Sequence, residues 1–269
     1  MNELQRIVAR TRVEVDQRRA TTSLRELDVA AARRVEHDPI RGFTEALAAP
    51  GLSVIAEHKR RSPSAGAIRS DVELEDVVAA YERGGARALS VLTEAVGFGG
   101  SLDDLVRARR AATLPILRKD FIVDEYQVVE AVVAGADAIL LIVAALDPAD
   151  LRSLYDHARS FGLGVLVEVH DGDELAIAAA IEPAVIGINN RNLTTLQVDT
   201  ARTFELIGSL PAETVIVSES GLRTPEAVAA VAAAGVDAVL VGEALMRSHD
   251  IEAACRALTG TAAPAPTMD

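Results

Sequence analysis

The chain has 269 residues, 49% hydrophobic but only 3% aromatic with no Trp, and a net charge of -13. That acidic balance argues against non-specific nucleic-acid binding, which needs a basic surface, while leaving room for a local basic site for an anionic small molecule. The lone Cys255 excludes an internal disulfide framework or a thiolate metal site. No apolar run reaches the length of a membrane span, and the charged N-terminal stretch lacks a signal pattern, so a cytoplasmic protein is expected.

In chain order, residues 2–20 place Leu4, Ile7 and Val8 among many charges and predict a surface-lying helix. Ser23 and Glu26 have capping-box spacing and open a second helix, which Asp38-Pro39 ends. A short helix around 42–47 completes an all-helical preface of residues 1–48. After it the pattern alternates. Apolar runs at 53–57, 87–92, 115–118, 138–143, 164–169, 185–189, 214–218 and 237–241 read as strands. Helical patterns fill the gaps at 73–83, 101–111, 124–134, 148–160, 172–181, 199–208 and 224–234, with a last one near 250–258. This rhythm predicts an α/β fold, a (β/α)8 TIM barrel with an N-terminal helical extension, as one domain over 1–258. An open doubly wound sheet is the rival, but its Gly-x-Gly-x-x-Gly turn after the first strand is absent. Gly85-Ala-Arg-Ala88, Gly135-Ala-Asp-Ala138 and Gly235-Val-Asp-Ala238 recur at spacings of whole units, each before a strand. Residues 259–269, rich in Ala, Pro and Thr, read as a disordered tail.

Reactive side chains in such a barrel sit at the C-terminal ends of strands. Those ends offer Glu57 and Lys59, Thr93 and Glu94, Lys119 and Asp120, Glu168, then Asn189, Asn190 and Arg191, then Glu219 and Ser220, and finally Gly242 and Glu243. By period two, Glu57 and Lys59 share a face, as do Asn189 and Arg191, while His58 turns to the helices. Lys59 and Lys119 are the only lysines among 27 basic residues. Lysine, unlike arginine, can lose its proton, so its retention at two strand ends points to function. Ser220-Gly221 and Gly242, on adjacent strands and before a short helical stretch at 244–247, have the form of a phosphate cradle, with the Glu243 carboxylate expected to point away. The five histidines show no ligand spacing, His170-Asp171 being the one pair to weigh for a metal. Ser62 and Ser64 lack a positioned His, which leaves nucleophilic serine chemistry little support.

Ile55-Ala-Glu-His-Lys-Arg-Arg-Ser-Pro-Ser64, Leu117-Arg-Lys-Asp-Phe-Ile122, Gly187-Ile-Asn-Asn-Arg-Asn-Leu193, Ser218-Glu-Ser-Gly221 and Leu240-Val-Gly242 closely resemble the indole-3-glycerol phosphate synthase family over nearly the whole chain. The resemblance implies a decarboxylating ring closure of 1-(2-carboxyphenylamino)-1-deoxyribulose 5-phosphate in tryptophan biosynthesis, without cofactor or metal. It implies Lys119 as general acid, its pKa lowered by burial and by Lys59, and Lys59 as the holder of the anthranilate carboxylate. Glu168 matches the general base, and Glu57 and Asn189 match residues that hydrogen-bond the substrate and hold the lysines. Ser62, Arg191, Ser220, Gly221 and Gly242 match phosphate- or substrate-contacting positions, and Phe98, Phe121, Leu140 and Leu193 would line a slot for the anthranilate ring. The implied partner is a small phosphorylated substrate, with neither nucleic acid nor membrane. The family also carries a helical segment over the barrel mouth. Two departures stand out: Ala65 replaces a lysine found in many relatives, and the loop 94–101 is unusually glycine-rich. Two other chemistries fit the residues less well, a lysine Schiff-base aldolase and a non-catalytic phosphate binder. Phosphoribosylanthranilate isomerase is disfavoured by Glu57, where that enzyme has Cys.

Overall fold

Val, Ile and Leu on both faces of the apolar runs suit strands covered on either side. In the computed structural model, which describes residues 2–193 and 195–260, eight such strands pair in parallel and close into a barrel. They are β1 (Ser53–His58), β2 (Ala88–Leu92), β3 (Ile116–Lys119), β4 (Ala138–Ile142), β5 (Gly164–Val169), β6 (Val185–Asn189), β7 (Val215–Glu219) and β8 (Ala238–Val241). Closure is made by β8 against β1, with Ser53 opposite Ala238 and Ile55 opposite Leu240. The extension contributes α1 (Glu3–Thr21), α2 (Leu24–His37) and α3 (Phe43–Leu47). The outer ring is α4 (Leu74–Arg83), α5 (Leu102–Ala111), α6 (Glu125–Ala134), α7 (Pro148–Ser160), α8 (Gly172–Ala179), α9 (Ala201–Leu206), α10 (Pro225–Ala233) and α11 (Ile251–Thr259).

Several boundaries differ from the sequence reading for physical reasons. β3 and β7 each run one residue further, to Lys119 and Glu219, because these charged residues still pair with Leu92 and Asn189 in the sheet. The loop after β1 folds into a small antiparallel hairpin, Arg61–Ser62 against Gly66–Ala67. A turn of helix, Ala95–Phe98, follows β2 because the Glu94 carboxylate accepts from the N–H groups of Val96, Gly97 and Phe98. The expected tail starts too early: α11 continues to Thr259, whose Oγ1 donates to the Gly84 carbonyl at 3.0 Å. The remainder of that stretch, 261–269, lies outside the described residues.

The extension does more than cover the mouth. α1 lies over it, α2 runs along α6, and α3 closes the opposite end, where Phe43 and Leu47 join the interior apolar cluster. A Cβ on Gly164, at the start of β5, would come within 3.0 Å of Phe43 Cβ, so the glycine makes room for that plug. The Ser23–Glu26 capping box at the head of α2 is formed reciprocally.

The Gly-x-Asp-Ala repeat has a structural reason. Gly135 and Gly235 end their helices with φ of 95° and 101°. Two residues on, Asp137 accepts from the backbone N–H of Ile116 at 2.9 Å and Asp237 from that of Ile216 at 2.8 Å, tying each strand start to its neighbour. Asp137, fully buried, also receives the Arg41 backbone N–H and the Arg109 guanidinium, each at 2.7 Å. Its loss strands a buried guanidinium, so Asp137→Ala is expected to destabilise the barrel by about 3–5 kcal/mol, measurable by chemical denaturation.

Candidate active site

Period two along each strand decides what reaches the mouth. Ile55, Leu117, Leu166, Val217 and Leu240 fill the barrel interior, and two residues further on stand Glu57, Lys119, Glu168, Glu219 and Gly242. Residues of opposite parity face the helices. Arg118 bonds the Gln127 carbonyl and pairs with Glu130 on α6, Asn190 bonds Thr203 and Ser218, and His58 is buried, its pKa pushed down to about 4 by burial and by Arg60.

Lys119 Nζ sits between two carboxylates, 2.8 Å from Glu168 Oε2 and 2.6 Å from Glu219 Oε2. Lys59 Nζ is 2.7 Å from Glu57 Oε1. The two amines and three acids thus converge in one pocket. Burial works against the Lys119 ammonium, but Glu168, Glu219 and Glu57 outweigh it and hold its pKa above the ordinary lysine value. The expected drop driven by Lys59 is therefore not what the structure shows: three carboxylates set the balance. Glu168 and Glu219 are driven apart. Burial opposes charge on Glu168, yet Lys119 and His170 keep it well below the usual carboxylate range. Burial, with Glu168 and Glu57 nearby, pushes Glu219 up to about 7 against the pull of Lys119.

Glu219 is named among the strand ends in the sequence but given no role there, although it shares the parity of Val217. Its Oε1 is buried with no hydrogen-bond partner. A Cβ on Gly187 would collide with that oxygen and approach Leu166 Cδ1 to 3.1 Å. Gly187→Ala is therefore expected to displace the Glu219 carboxylate and cut turnover by about 10²-fold, because small misplacements are costly at a reacting centre. Steady-state kinetics on folded variant protein checks this. Gly242 plays a similar part, since a Cβ there would fall 2.5 Å from Glu57 Oε1.

The other expected positions line the same pocket. Asn189 Oδ1 accepts from the backbone N–H of Arg191 at 3.0 Å, leaving its amide NH2 as the group to offer a ligand. Arg191, anchored to the Leu196 carbonyl at 3.0 Å, shares this side with Arg223, which the sequence reading did not single out. Ser220 and Gly221 both take left-handed backbone, with φ of 65° and 84°; a non-glycine residue there is a strain that clusters at ligand sites. Ser62 Oγ accepts from the Ala65 N–H at 3.1 Å and pins the β1 loop. Glu243 Oε1 accepts from Arg247 Nε at 3.0 Å, while the residue still lines the pocket and its charge acts on Arg191. Phe98, Phe121, Leu140 and Leu193 form the apolar wall, roofed by Leu4 and Ile7 of α1. Ion pairs hold that roof: Arg10 with Glu94, Arg18 with Glu130 at 2.7 Å and Arg19 with Asp124 at 2.5 Å.

His170 and Asp171, the pair weighed for a metal, turn to different partners. His170 meets Glu168 and Glu174, while Asp171 Oδ1 caps α8 by accepting from the Glu174 N–H at 2.9 Å. Among the described residues no group of three His, Cys, Asp or Glu could hold a metal ion. The Cys255 thiol is buried, with its pKa pushed up to about 11 by burial.

The family model described as indole-3-glycerol phosphate synthase matches residues 4–258. The chain belongs to that family. It is 48% identical over 260 residues to an indole-3-glycerol phosphate synthase from a Nocardioides species, covering 97% of this chain and 99% of that one. It is 47% identical over 254 residues to indole-3-glycerol phosphate synthase 2 of Streptomyces coelicolor, covering 94% and 97%. Among solved structures, thiamine phosphate pyrophosphorylase from Pyrococcus furiosus shares the fold at a TM-score of 0.60 and 15% identity, over 82% of this chain and 97% of that one. Membership of this family makes the chain a decarboxylating lyase of tryptophan biosynthesis.

Proposed function

We propose that the barrel mouth carries out the family's ring closure with Lys119 as general acid and Glu168 as general base, on a substrate held by its phosphate between β7 and β8. The observation that carries this reading is the sharing of one buried ammonium by two acids of opposed acidity, Glu168 ionised and Glu219 titrating near neutrality, at about 7. In the first step the anthranilate carbon bearing the carboxylate attacks C2 of the ribulose. Lys119 gives its proton to the C2 oxygen as the C–C bond forms. The bond to the carboxylate then breaks, CO2 leaves, and the electron pair returns to the ring. The C2 hydroxyl departs as water on a proton from the Lys59 ammonium, the second amine of the pocket, and Glu168 takes the C1 proton whose loss completes the indole.

Held by three carboxylates, Lys119 is a weak acid until a partner lets go. Glu219 is the partner best suited, since a proton on its carboxylate removes one negative charge from the ammonium. Lys59, paired with Glu57, offers its ammonium to the anthranilate carboxylate. The left-handed turn at Ser220-Gly221, the glycine at 242 and the Arg191 guanidinium supply donors and positive charge for the phosphate. The apolar wall under α1 suits the aromatic ring. A cytoplasmic enzyme without nucleic-acid partners fits the acidic chain, and among the described residues no helix is long and apolar enough to cross a membrane.

The test is turnover of 1-(2-carboxyphenylamino)-1-deoxyribulose 5-phosphate by purified protein in the presence of a chelator, followed by indole fluorescence. Steady product formation is expected; no turnover, or turnover only with added metal, would overturn the reading.

A further inference from the structure

One titratable cluster at the mouth is left unused by this chemistry. His170 lies just past the end of β5, with the parity of Leu166 and Glu168, so its ring turns towards the Glu168 carboxylate. Nε2 stands 3.4 Å from Glu168 Oε1, and Nδ1 stands 2.9 Å from Glu174 Oε2 in the first turn of α8. The Glu174 carboxylate also accepts the His170 backbone N–H at 2.8 Å, which fixes the ring and its partner together. Lys119 takes the other oxygen of Glu168, Oε2. Glu168 therefore meets a separate basic group at each oxygen, Lys119 by a hydrogen bond and His170 by an ion-pair contact in which Nε2 has no other partner among the described residues, and His170 does not itself line the pocket.

We propose that His170 is a positioning residue for Glu168: an imidazolium anchored by Glu174, it holds Oε1 and keeps the carboxylate ionised while Lys119 turns from Oε2 towards the substrate. The inference rests on Glu168 being the base. Glu168 is 1% exposed, and a carboxylate buried so deeply takes up a proton once its counter-charge departs. A base that captures Lys119's own proton is spent before the dehydration step. A second cation that does not take part in the chemistry prevents this. The charged groups that act on the ring are Glu168 at the end of β5 and Glu174 from α8; the flanking strands β4 and β6 end in Ile142 and Asn189, neither ionisable. Burial lowers the ring's pKa, but the two carboxylates more than offset it and push it up to about 10, so the imidazolium persists through neutral pH.

The experiment is the pH dependence of kcat for the wild type, His170→Asn, Glu174→Gln and Glu168→Gln, with the ribulose phosphate substrate. His170→Asn is expected to move the acidic limb of kcat upward by about one pH unit or more, the usual influence of one opposite charge at this range. KM should stay within about a factor of two, because the ring does not meet the substrate. Glu174→Gln should move the limb in the same direction by less, and it keeps the test decisive if His170→Asn fails to fold. An acidic limb unmoved in the folded variants, with Glu168→Gln slow, would overturn the role of His170 alone. Wild-type turnover in Glu168→Gln would overturn the base assignment and the inference with it.

Discussion

Lys119→Met is expected to lower ring closure by about 10⁴-fold, the upper end of what a positioned acid contributes, while leaving phosphate binding intact. Methionine matches the length of the lysine stem and fills the same space, so what is lost is the proton donor and the positive charge. The variant leaves Glu168 and Glu219, both 2% exposed in their side chains, facing one another without their shared cation. Two buried like charges cannot both persist, so one acid takes up a proton. Glu219, already raised to about 7, is the one to do so. This gives a stability signature with a definite sign. In the variant the folded pKa of Glu219 lies above its unfolded one while His170 keeps Glu168 ionised, so the Glu219 contribution to stability is full at acidic pH and is lost as pH rises from the ordinary carboxylate range through its raised value. Denaturation at pH 5 and pH 8 (flanking the value of about 7 for Glu219) checks it. The phosphate seat lies on β7 and β8, away from Lys119, so titration with inorganic phosphate should give a Kd close to that of the wild type. A variant that closes the ring at near wild-type rate removes Lys119 as the acid.

Glu168→Gln is expected to slow turnover by about 10²–10³-fold, with its effect on the last step only. The glutamine keeps the shape and can still meet Lys119 through its carbonyl oxygen, but it cannot accept a proton. In the wild type Lys119 and His170 keep Glu168 well below the usual carboxylate range despite burial, so this base stays ready throughout the neutral range and fails only in strong acid. The variant should lose that acidic limb. KM should change little if Glu168 acts on the proton rather than on binding, and a rise in KM at constant kcat would make it a binding residue instead.

Much of this was legible in the chain. Eight apolar runs separated by helical patterns imply a barrel, and parity then places Glu57, Lys119 and Glu168 on its inner face. The motifs at the strand ends sufficed to suggest the family. What the sequence could not convey were relations across the mouth. The acidity of Lys119 depends on carboxylates 49 and 100 residues away, at distances that only the closed barrel sets. From sequence, Lys59 looked like the neighbour that matters; in the structure Glu57 neutralises it. Glu219 was legible by its parity with Val217, but nothing local marks its unpartnered oxygen or the space that Gly187 leaves for it. The floor made by α3 was hidden for a similar reason: Phe43 meets Gly164 across more than a hundred residues of chain. His170 looked like half of a metal pair because its true partners, Glu168 and Glu174, are set by the strand end and the first turn of α8.

The division of labour between Lys119 and Glu168 is tested most directly by single-turnover release of CO2, measured beside indole fluorescence in the two variants. Glu168→Gln should release one equivalent of CO2 per site well before fluorescence appears, since closure and decarboxylation precede the step that needs the base. Lys119→Met should release neither. CO2 evolved at the wild-type rate by Lys119→Met, or withheld by Glu168→Gln, would contradict the assignment of acid and base on which this account stands.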